Sequence, residues 1–136
     1  MSSFNERIIQ EFRENRGRVG GPFAEVDMLL LTTTGARSGV TRTNPLACVR
    51  YEGQLHVIAA HRGAPRHPDW YFNLVADPEV EVETGVETFP ARAQVLANGE
   101  RQQVWDCQAV LHPEFEGYAA KAGREIPIVR LVRHQR

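Results

Sequence analysis

The chain has 136 residues, 42% hydrophobic and 24% charged, with 16 basic against 17 acidic residues and a formal net charge of −1. That is one domain, 1–136, large enough for a core without staples, with nothing in its overall charge to draw it to nucleic acid or an anionic bilayer. Any anion site must therefore be a local concentration of arginine.

Ser3-Phe4-Asn5-Glu6 has the form of a capping box. Phe4, Ile8 and Phe12 then recur at i, i+4 and i+8 with Ile9 beside them, opposite Glu6, Arg7, Glu11 and Arg13. This predicts an amphipathic helix of about ten residues docked on the rest of the domain. Gly17, Gly20, Gly21 and Pro22 end it and form a loop, so residues 1–21 read as a helix and connector.

A first strand is expected from Val26 to Thr33, apolar from Met28 to Leu31 and β-branched from Thr32 to Thr34. Gly35 and Gly39 bracket a tight turn, and a second strand runs from Arg42 to Tyr51. Pro45 within it marks an edge or bulge, because proline cannot donate to a ladder. Glu52-Gly53 turns the chain into a third strand, Leu55 to His61, with Leu55, Val57 and Ala59 on one face.

After the loop Arg62–Pro68, Asp69 can cap a short helix carrying Trp70, Asn73 and Leu74. Asp77-Pro78 stops it. Glu79-Val80-Glu81-Val82-Glu83 alternates strictly, so its glutamates face water rather than a metal. Gly85 leads to a fifth strand with Phe89, Ala91, Ala93 and Val95 on one side. Asn98-Gly99 opens a helix, His112-Pro113 breaks it, and a further helix covers Glu114 to Lys121. Gly123 precedes a last strand, Ile126 to Val132. The first three strands have no helices between them, which argues against a parallel doubly wound sheet. The expected architecture is mainly β with flanking helices (α+β), a six-stranded, mostly antiparallel barrel.

The only cysteines, Cys48 and Cys107, sit in apolar-patterned segments, as reduced thiols of a cytoplasmic protein do. No stretch reads as a signal peptide, and the longest apolar run is far short of a membrane span. His61 and His67 have no cysteine or acidic partner at ligand spacing, so no metal site is expected.

Chemistry concentrates in Leu29-Leu30-Leu31-Thr32-Thr33-Thr34-Gly35-Ala36-Arg37-Ser38-Gly39-Val40-Thr41-Arg42-Thr43-Asn44-Pro45-Leu46. Arg37, Ser38 and Arg42 with the turn's N–H groups make an anion cradle; the bland alternative is a polar hairpin tip with solvated arginines. Together with Gly63-Ala64-Pro65-Arg66-His67-Pro68-Asp69-Trp70-Tyr71-Phe72-Asn73-Leu74 and Arg124-Glu125-Ile126-Pro127-Ile128-Val129-Arg130-Leu131, this stretch resembles the deazaflavin (coenzyme F420)-dependent nitroreductase and quinone reductase family. The resemblance runs from about Ile8 to the C-terminus. It implies a flavin-reductase-like split β-barrel and hydride transfer from reduced F420 to a quinone or other small electron-poor acceptor.

Three needs of that chemistry assign residues by resemblance. Arg37, Ser38 and Arg42 fall on the family's phosphate-binding motif, with Arg124 as a further charge. Trp70 and Pro45 would wall and support the ring, with turn N–H groups from Ala60, His61, Arg62 and Gly63 at its edge and Asn73 as a hydrogen-bonding partner. Asn73 as a buttress of the barrel, and Trp70 as core, are the bland readings. On the acceptor side, nitroreducing members carry tyrosines at three-residue spacing; the corresponding residues here are His112, Phe115 and Tyr118, and a strand-two tyrosine is replaced by Ala47. A smaller pocket with fewer hydroxyls follows, with Tyr118 or His112 as the proton source. FMN is a weaker alternative cofactor, and a non-catalytic barrel holding F420 or a fatty acid is the alternative function. The family's association with the cell envelope suggests peripheral membrane contact through the N-terminal helix, although its mixed polar face offers little to anionic lipid. A monomer or a homodimer would serve.

Overall fold

The computed structural model describes residues 3–21, 26–111 and 113–134, with the side chains of Ser3, Arg62 and Leu111 excepted. Six strands close into one barrel: β1 (Met28–Thr34), β2 (Thr41–Tyr51), β3 (Gln54–Ile58), β4 (Glu79–Glu83), β5 (Thr88–Val95) and β6 (Ile128–Arg133), in the order β1-β2-β3-β6-β5-β4 and back to β1. Every pairing is antiparallel. The helices are α1 (Ser3–Glu14), α2 (Asp69–Ala76), α3 (Asn98–Leu111) and α4 (Glu114–Ala122).

The two faces of the barrel wall follow from the period-2 alternation of side chains. Leu29, Leu31, Cys48, Val57, Val82, Ala91, Val129 and Leu131 point inward and form the main core. Outward, Met28 and Leu30 pack under Ile8 and Phe12 of α1, and Val49 and Ile128 pack under Val104 and Trp105 of α3. The predicted docking of the amphipathic helix is thus realised on the outer face of β1. Not every helix lies outside, however: Trp70 and Leu74 of α2 enter the main core and close the barrel from one end.

Pro45 sits opposite Leu30 in the β1 ladder, whereas β2 meets β3 only from Cys48 onward. The missing N–H therefore faces the unpaired half of β2, the edge that the proline predicted. The third strand stops at Ile58 rather than His61, because His61 takes φ +49° and opens a 3-10 turn, His61–Gly63. The sixth begins at Ile128 rather than Ile126. The Ile126 carbonyl accepts the Arg101 guanidinium at 2.8 Å, and the Pro127 carbonyl accepts Ala59 N–H at 2.9 Å. The three glutamates of β4 face outward, and two are paired: Glu83 with Arg13 at 2.8 Å and Glu79 with Arg92 at 3.0 Å. His56, on the covered outer face of β3, is fully buried and its Nε2 accepts from Arg130 Nε at 3.1 Å.

The far end of α1 is clamped. Beyond the Arg13–Glu83 pair, Gly17 and Gly85 pass so closely that a Cβ on Gly85 would lie 2.3 Å from the Arg16 carbonyl oxygen, and Gly85 holds φ +95°. Only glycine serves at such an approach.

Candidate functional site

The turn between β1 and β2 is built from within. Gly35 N–H donates to the Val40 carbonyl at 2.8 Å, and Gly39 N–H to the Gly35 carbonyl at 3.0 Å. Gly39 supplies φ +71°; Gly35 supplies space, since a Cβ there would meet Ser38 Oγ at 2.6 Å. Ser38 Oγ accepts Val40 N–H at 3.1 Å, which leaves the hydroxyl hydrogen available to an anion. Arg37 and Arg42 are exposed, and among the described residues neither guanidinium has a hydrogen bond or ion pair. Arg42 stands across the ladder from Thr33 at the barrel rim. Two unpaired guanidiniums, a free O–H and a rigid turn can hold a phosphate or carboxylate.

From that turn the outward row of β2 runs Thr41, Thr43, Pro45, Ala47, facing Thr34, Thr32, Leu30 and Met28 of β1. The Thr32 and Thr43 hydroxyls hydrogen-bond each other at 2.7 Å. The far part of this row is the floor of a groove of about 240 Å³. Met28, Pro45 and Ala47 form the floor, Phe4, Asn5 and Ile8 of α1 one wall, and Glu114, Phe115 and Tyr118 of α4 the other, with Val26 at one side. The groove floor and the turn are joined by the same two strands: Thr41, the last residue of the outward row, adjoins the turn, while Arg42, one residue on, alternates to the inward row at the barrel rim.

Of the residues expected from sequence, the structure brings Pro45 and Tyr118 to the groove together with Ala47 and Phe115. Phe115 and Tyr118 meet edge to face with ring centroids 5.4 Å apart. The turn from Ala60 to Gly63 backs onto α4, where a Cβ on Gly63 would lie 3.2 Å from the Tyr118 Cα. One of its donors is spent: Gly63 N–H bonds the Ala60 carbonyl at 2.9 Å. His61 Nδ1 is 2.9 Å from the Arg66 carbonyl. The side chain of Arg62 and the whole of His112 lie outside the described residues.

Three expectations change on the structure. Trp70 does not stand as a wall of the groove; its indole is 6% exposed within the barrel core, because α2 turns that side inward with Leu74. Asn73 is occupied with protein: its Oδ1 accepts Ala36 N–H at 3.0 Å and its Nδ2 donates to Thr33 Oγ1 at 3.2 Å, so it braces the arginine turn against α2. Arg124 is occupied too. Its guanidinium reaches the carbonyls of Ala59, Ala60, Ala64 and Arg66 at 3.2–3.3 Å and His67 Nδ1 at 3.0 Å. Burial, then the Arg124 charge, pull the His67 pKa below its ordinary value. Each ring of the His61 and His67 pair is thus engaged separately. Cys48 is free and buried, and burial pushes its thiol pKa up to about 12, so it is inert.

Sequence reasoning missed the contribution of α1. Phe4, Asn5 and Ile8 complete the groove, and the i, i+4 spacing of Phe4 and Ile8 carried the signal that this face is covered, without naming what it covers.

Residues 6–133 match the family model described as F420H(2)-dependent quinone reductase. An F420H(2)-dependent quinone reductase of Mycobacterium tuberculosis strain H37Rv is 32% identical over 127 residues, 90% of this chain and 85% of that protein. Among solved structures, one described as an F420-H2 dependent reductase, FDR-A, is 37% identical with a TM-score of 0.70, covering 77% of this chain and 93% of that one. Another, described as a domain-swapped dimer, is 34% identical with a TM-score of 0.72 over 93% of this chain and 96% of that one. The heme storage protein HutZ of Vibrio cholerae, 20% identical with a TM-score of 0.61 over 96% of this chain and 91% of that one, shares the fold.

Proposed function

The chain belongs to the F420H(2)-dependent quinone reductase family, and from that premise we propose that it passes a hydride from reduced coenzyme F420 to a quinone or similar small electron-poor acceptor in the groove between α1 and α4. The observation that carries this is an exposed arginine turn at one end of the β1–β2 hairpin and a mostly apolar groove on the outward face of the same two strands.

The residues present fit the coenzyme. Its anionic handle needs cations and donors, which Arg37, Arg42 and the Ser38 hydroxyl offer. Its flat ring needs apolar support, which Pro45 and the adjoining strand face offer. When bound, a deazaflavin supplies a hydride from C5 and favours two-electron steps, because carbon replaces the flavin N5.

The chain contributes placement and electrostatics. Arg37 and Arg42 would hold the coenzyme at its charged end, and Pro45 with the adjoining strand face would support its ring. Asn73 keeps the turn in register with α2. Phe4, Ile8 and Phe115 exclude water from the acceptor side, which strengthens every charge interaction there. A quinone that gains a hydride takes one proton to become the hydroquinone. Tyr118 is on the groove wall and can donate its O–H to the oxygen where negative charge develops; His112 is the second candidate. Ala47 leaves room above the floor where a larger residue would narrow it.

The direct test is a fluorescence titration with F420, followed by oxidation of reduced F420 with menadione as acceptor. Binding at micromolar coenzyme with turnover supports the reading. Binding without turnover favours a barrel that only holds the coenzyme, and no binding removes the proposal. A homodimer has a precedent in the domain-swapped relative; light scattering in solution tests it. No described helix is long and apolar enough to cross a membrane, and flotation with anionic vesicles tests peripheral contact through α1.

A further inference from the structure

Tyr118 reaches the groove wall from a helix that is seated at two points on the loop before α2. Midway along α4, Gly63 packs against the Tyr118 backbone. A Cβ on Gly63 would stand 3.2 Å from the Tyr118 Cα and carbonyl oxygen and 3.1 Å from Lys121 Cδ. At its end, Gly123 turns the chain out of α4 with φ +64°. The next residue, Arg124, sends its guanidinium back across the loop to the carbonyls of Ala59, Ala60, Ala64 and Arg66 at 3.2–3.3 Å. Its shortest contact is with a side chain, His67 Nδ1 at 3.0 Å. A guanidinium only donates, so Nδ1 accepts and the ring carries its proton on Nε2.

We propose that His67 is a positioning residue of the acceptor site: as the acceptor for Arg124 it holds the loop 59–67 against α4 and so sets where Tyr118 stands in the groove wall. This rests on the function proposed above and deepens it by adding a residue that is not among those lining the groove. The rings of Tyr71 and Phe72 on α2 fix the imidazole from the other side, with centroids 4.6 and 5.6 Å away. The same hydrogen bond makes the arrangement sensitive to acid, because a proton on Nδ1 would point an N–H at a cation. The charged and titratable groups on the surrounding elements are Arg124 after α4, Lys121 on α4, Arg66 in the loop, Asp69 on α2, paired with Arg66 at 3.3 Å, and His61, with Nδ1 2.9 Å from the Arg66 carbonyl. Burial, then the Arg124 charge, hold the His67 pKa below its ordinary value. The ring is therefore the neutral acceptor at neutral pH, and the contact is lost as pH falls below about 6.5.

Trp105 of α3 reports on α4 without any ligand, because its indole N–H donates to Glu116 Oε1 at 2.8 Å. The test follows that indole signal by NMR in the intact protein, in His67→Phe and in His67→Asn. Phenylalanine keeps a ring against Tyr71 and Phe72 and removes the acceptor. Asparagine keeps a neutral acceptor near the Nδ1 position and cannot titrate. At neutral pH the signal should shift in His67→Phe and stay near its original place in His67→Asn. Below about pH 6.5 a step should appear in the intact protein alone, since the titration of Glu116 itself is common to all three. With reduced F420, His67→Phe should raise the KM for menadione several-fold and leave F420 affinity nearly unchanged, and His67→Asn should restore most of the loss. Should His67→Phe fail to fold on thermal melting, the acid step in the intact protein and its absence from His67→Asn decide the matter. An indole signal that shows neither the shift nor the step overturns the proposal, and so does an unchanged menadione KM in a His67→Phe protein whose indole has moved. If the intact protein does not bind F420, the reductase reading falls and the acceptor role of His67 falls with it, while the indole signal still shows whether His67 sets α4.

Discussion

The side-chain oxygen of Asn73 accepts the main-chain N–H of Ala36 at 3.0 Å, joining α2 to the turn that carries the free arginines. The amide nitrogen of the same side chain donates to the buried Thr33 hydroxyl at 3.2 Å. Removing it should therefore loosen the turn without removing any charge. Asn73→Ala is expected to cost about 1–3 kcal/mol of stability, since it orphans groups near the barrel rim, and to weaken F420 binding several-fold. Asn73→Asp keeps the acceptor for Ala36 and should retain more affinity than the alanine variant. Thermal melting and fluorescence titration read the two effects.

Arg37 and Arg42 make the opposite case. Each is exposed and unpartnered, so replacing either by alanine should leave the melting temperature nearly unchanged. Coenzyme affinity should fall by about 1.5–3 kcal/mol for each, the usual worth of a hydrogen bond to a charged group, and the affinity of the intact protein should drop with added salt. Unchanged F420 affinity in both variants would remove the cradle assignment.

Arg124 holds the loop behind the site by its fork geometry, reaching four carbonyls and His67. Lysine has the charge but not the fork. Arg124→Lys is expected to destabilise the fold by about 2 kcal/mol or more, because buried carbonyls lose their donors. Arg124→Leu also removes the cation beside His67. An NMR titration should then find the His67 pKa moved upward toward its ordinary value, while the depression due to burial remains.

Burial, followed by the Arg130 charge, holds the His56 pKa below its ordinary 6.5. The unfolded chain therefore binds more protons than the folded one between the two values, and stability rises with pH across that window. The contribution is fully present above about pH 6.5 and is lost as pH falls toward the folded value. Urea unfolding at pH 7.5 and pH 5.5 should show the loss, and His56→Phe should flatten the slope. His67 contributes in the same direction and leaves a residual slope. Glu79 and Glu87, whose pKa values are lowered by His134 and Arg133 in turn, act in a lower window, below about pH 4.5, and do not confuse the measurement.

Local signals carried much of the fold. Strict alternation in Glu79–Glu83, the glycine-bounded turn and the apolar run into Thr32–Thr34 each describe one strand and its immediate neighbour, and all three are realised. What no short stretch holds is the pairing of β3 with β6 and β1 with β4, which closes the barrel. That closure explains why the bland readings of Trp70 as core and Asn73 as buttress are the ones the structure favours. Trp70 and Asn73 sit where a cofactor-facing helix would carry them, but the direction of α2 is set by the open barrel end it plugs. His56 alternates as an outward residue of β3, and its burial comes with partners on other strands, Arg130 of β6 and Tyr51 of β2. The arginine turn was legible as a turn because its two arginines, serine and glycines are neighbours in sequence. The groove was half legible, because its α1 wall comes from the opposite end of the chain from α4.

The groove proposed for the acceptor has one wall from residues 4–8 and another from residues 114–118, while α1 itself is latched to the β4–β5 hairpin through Arg13, Gly17 and Gly85. Contacts of such long sequence separation are the last that a folding chain can close. Acceptor binding is thus a late reporter during refolding. Tryptophan burial in the barrel should precede it, and the interval between the two signals times the seating of the first helix.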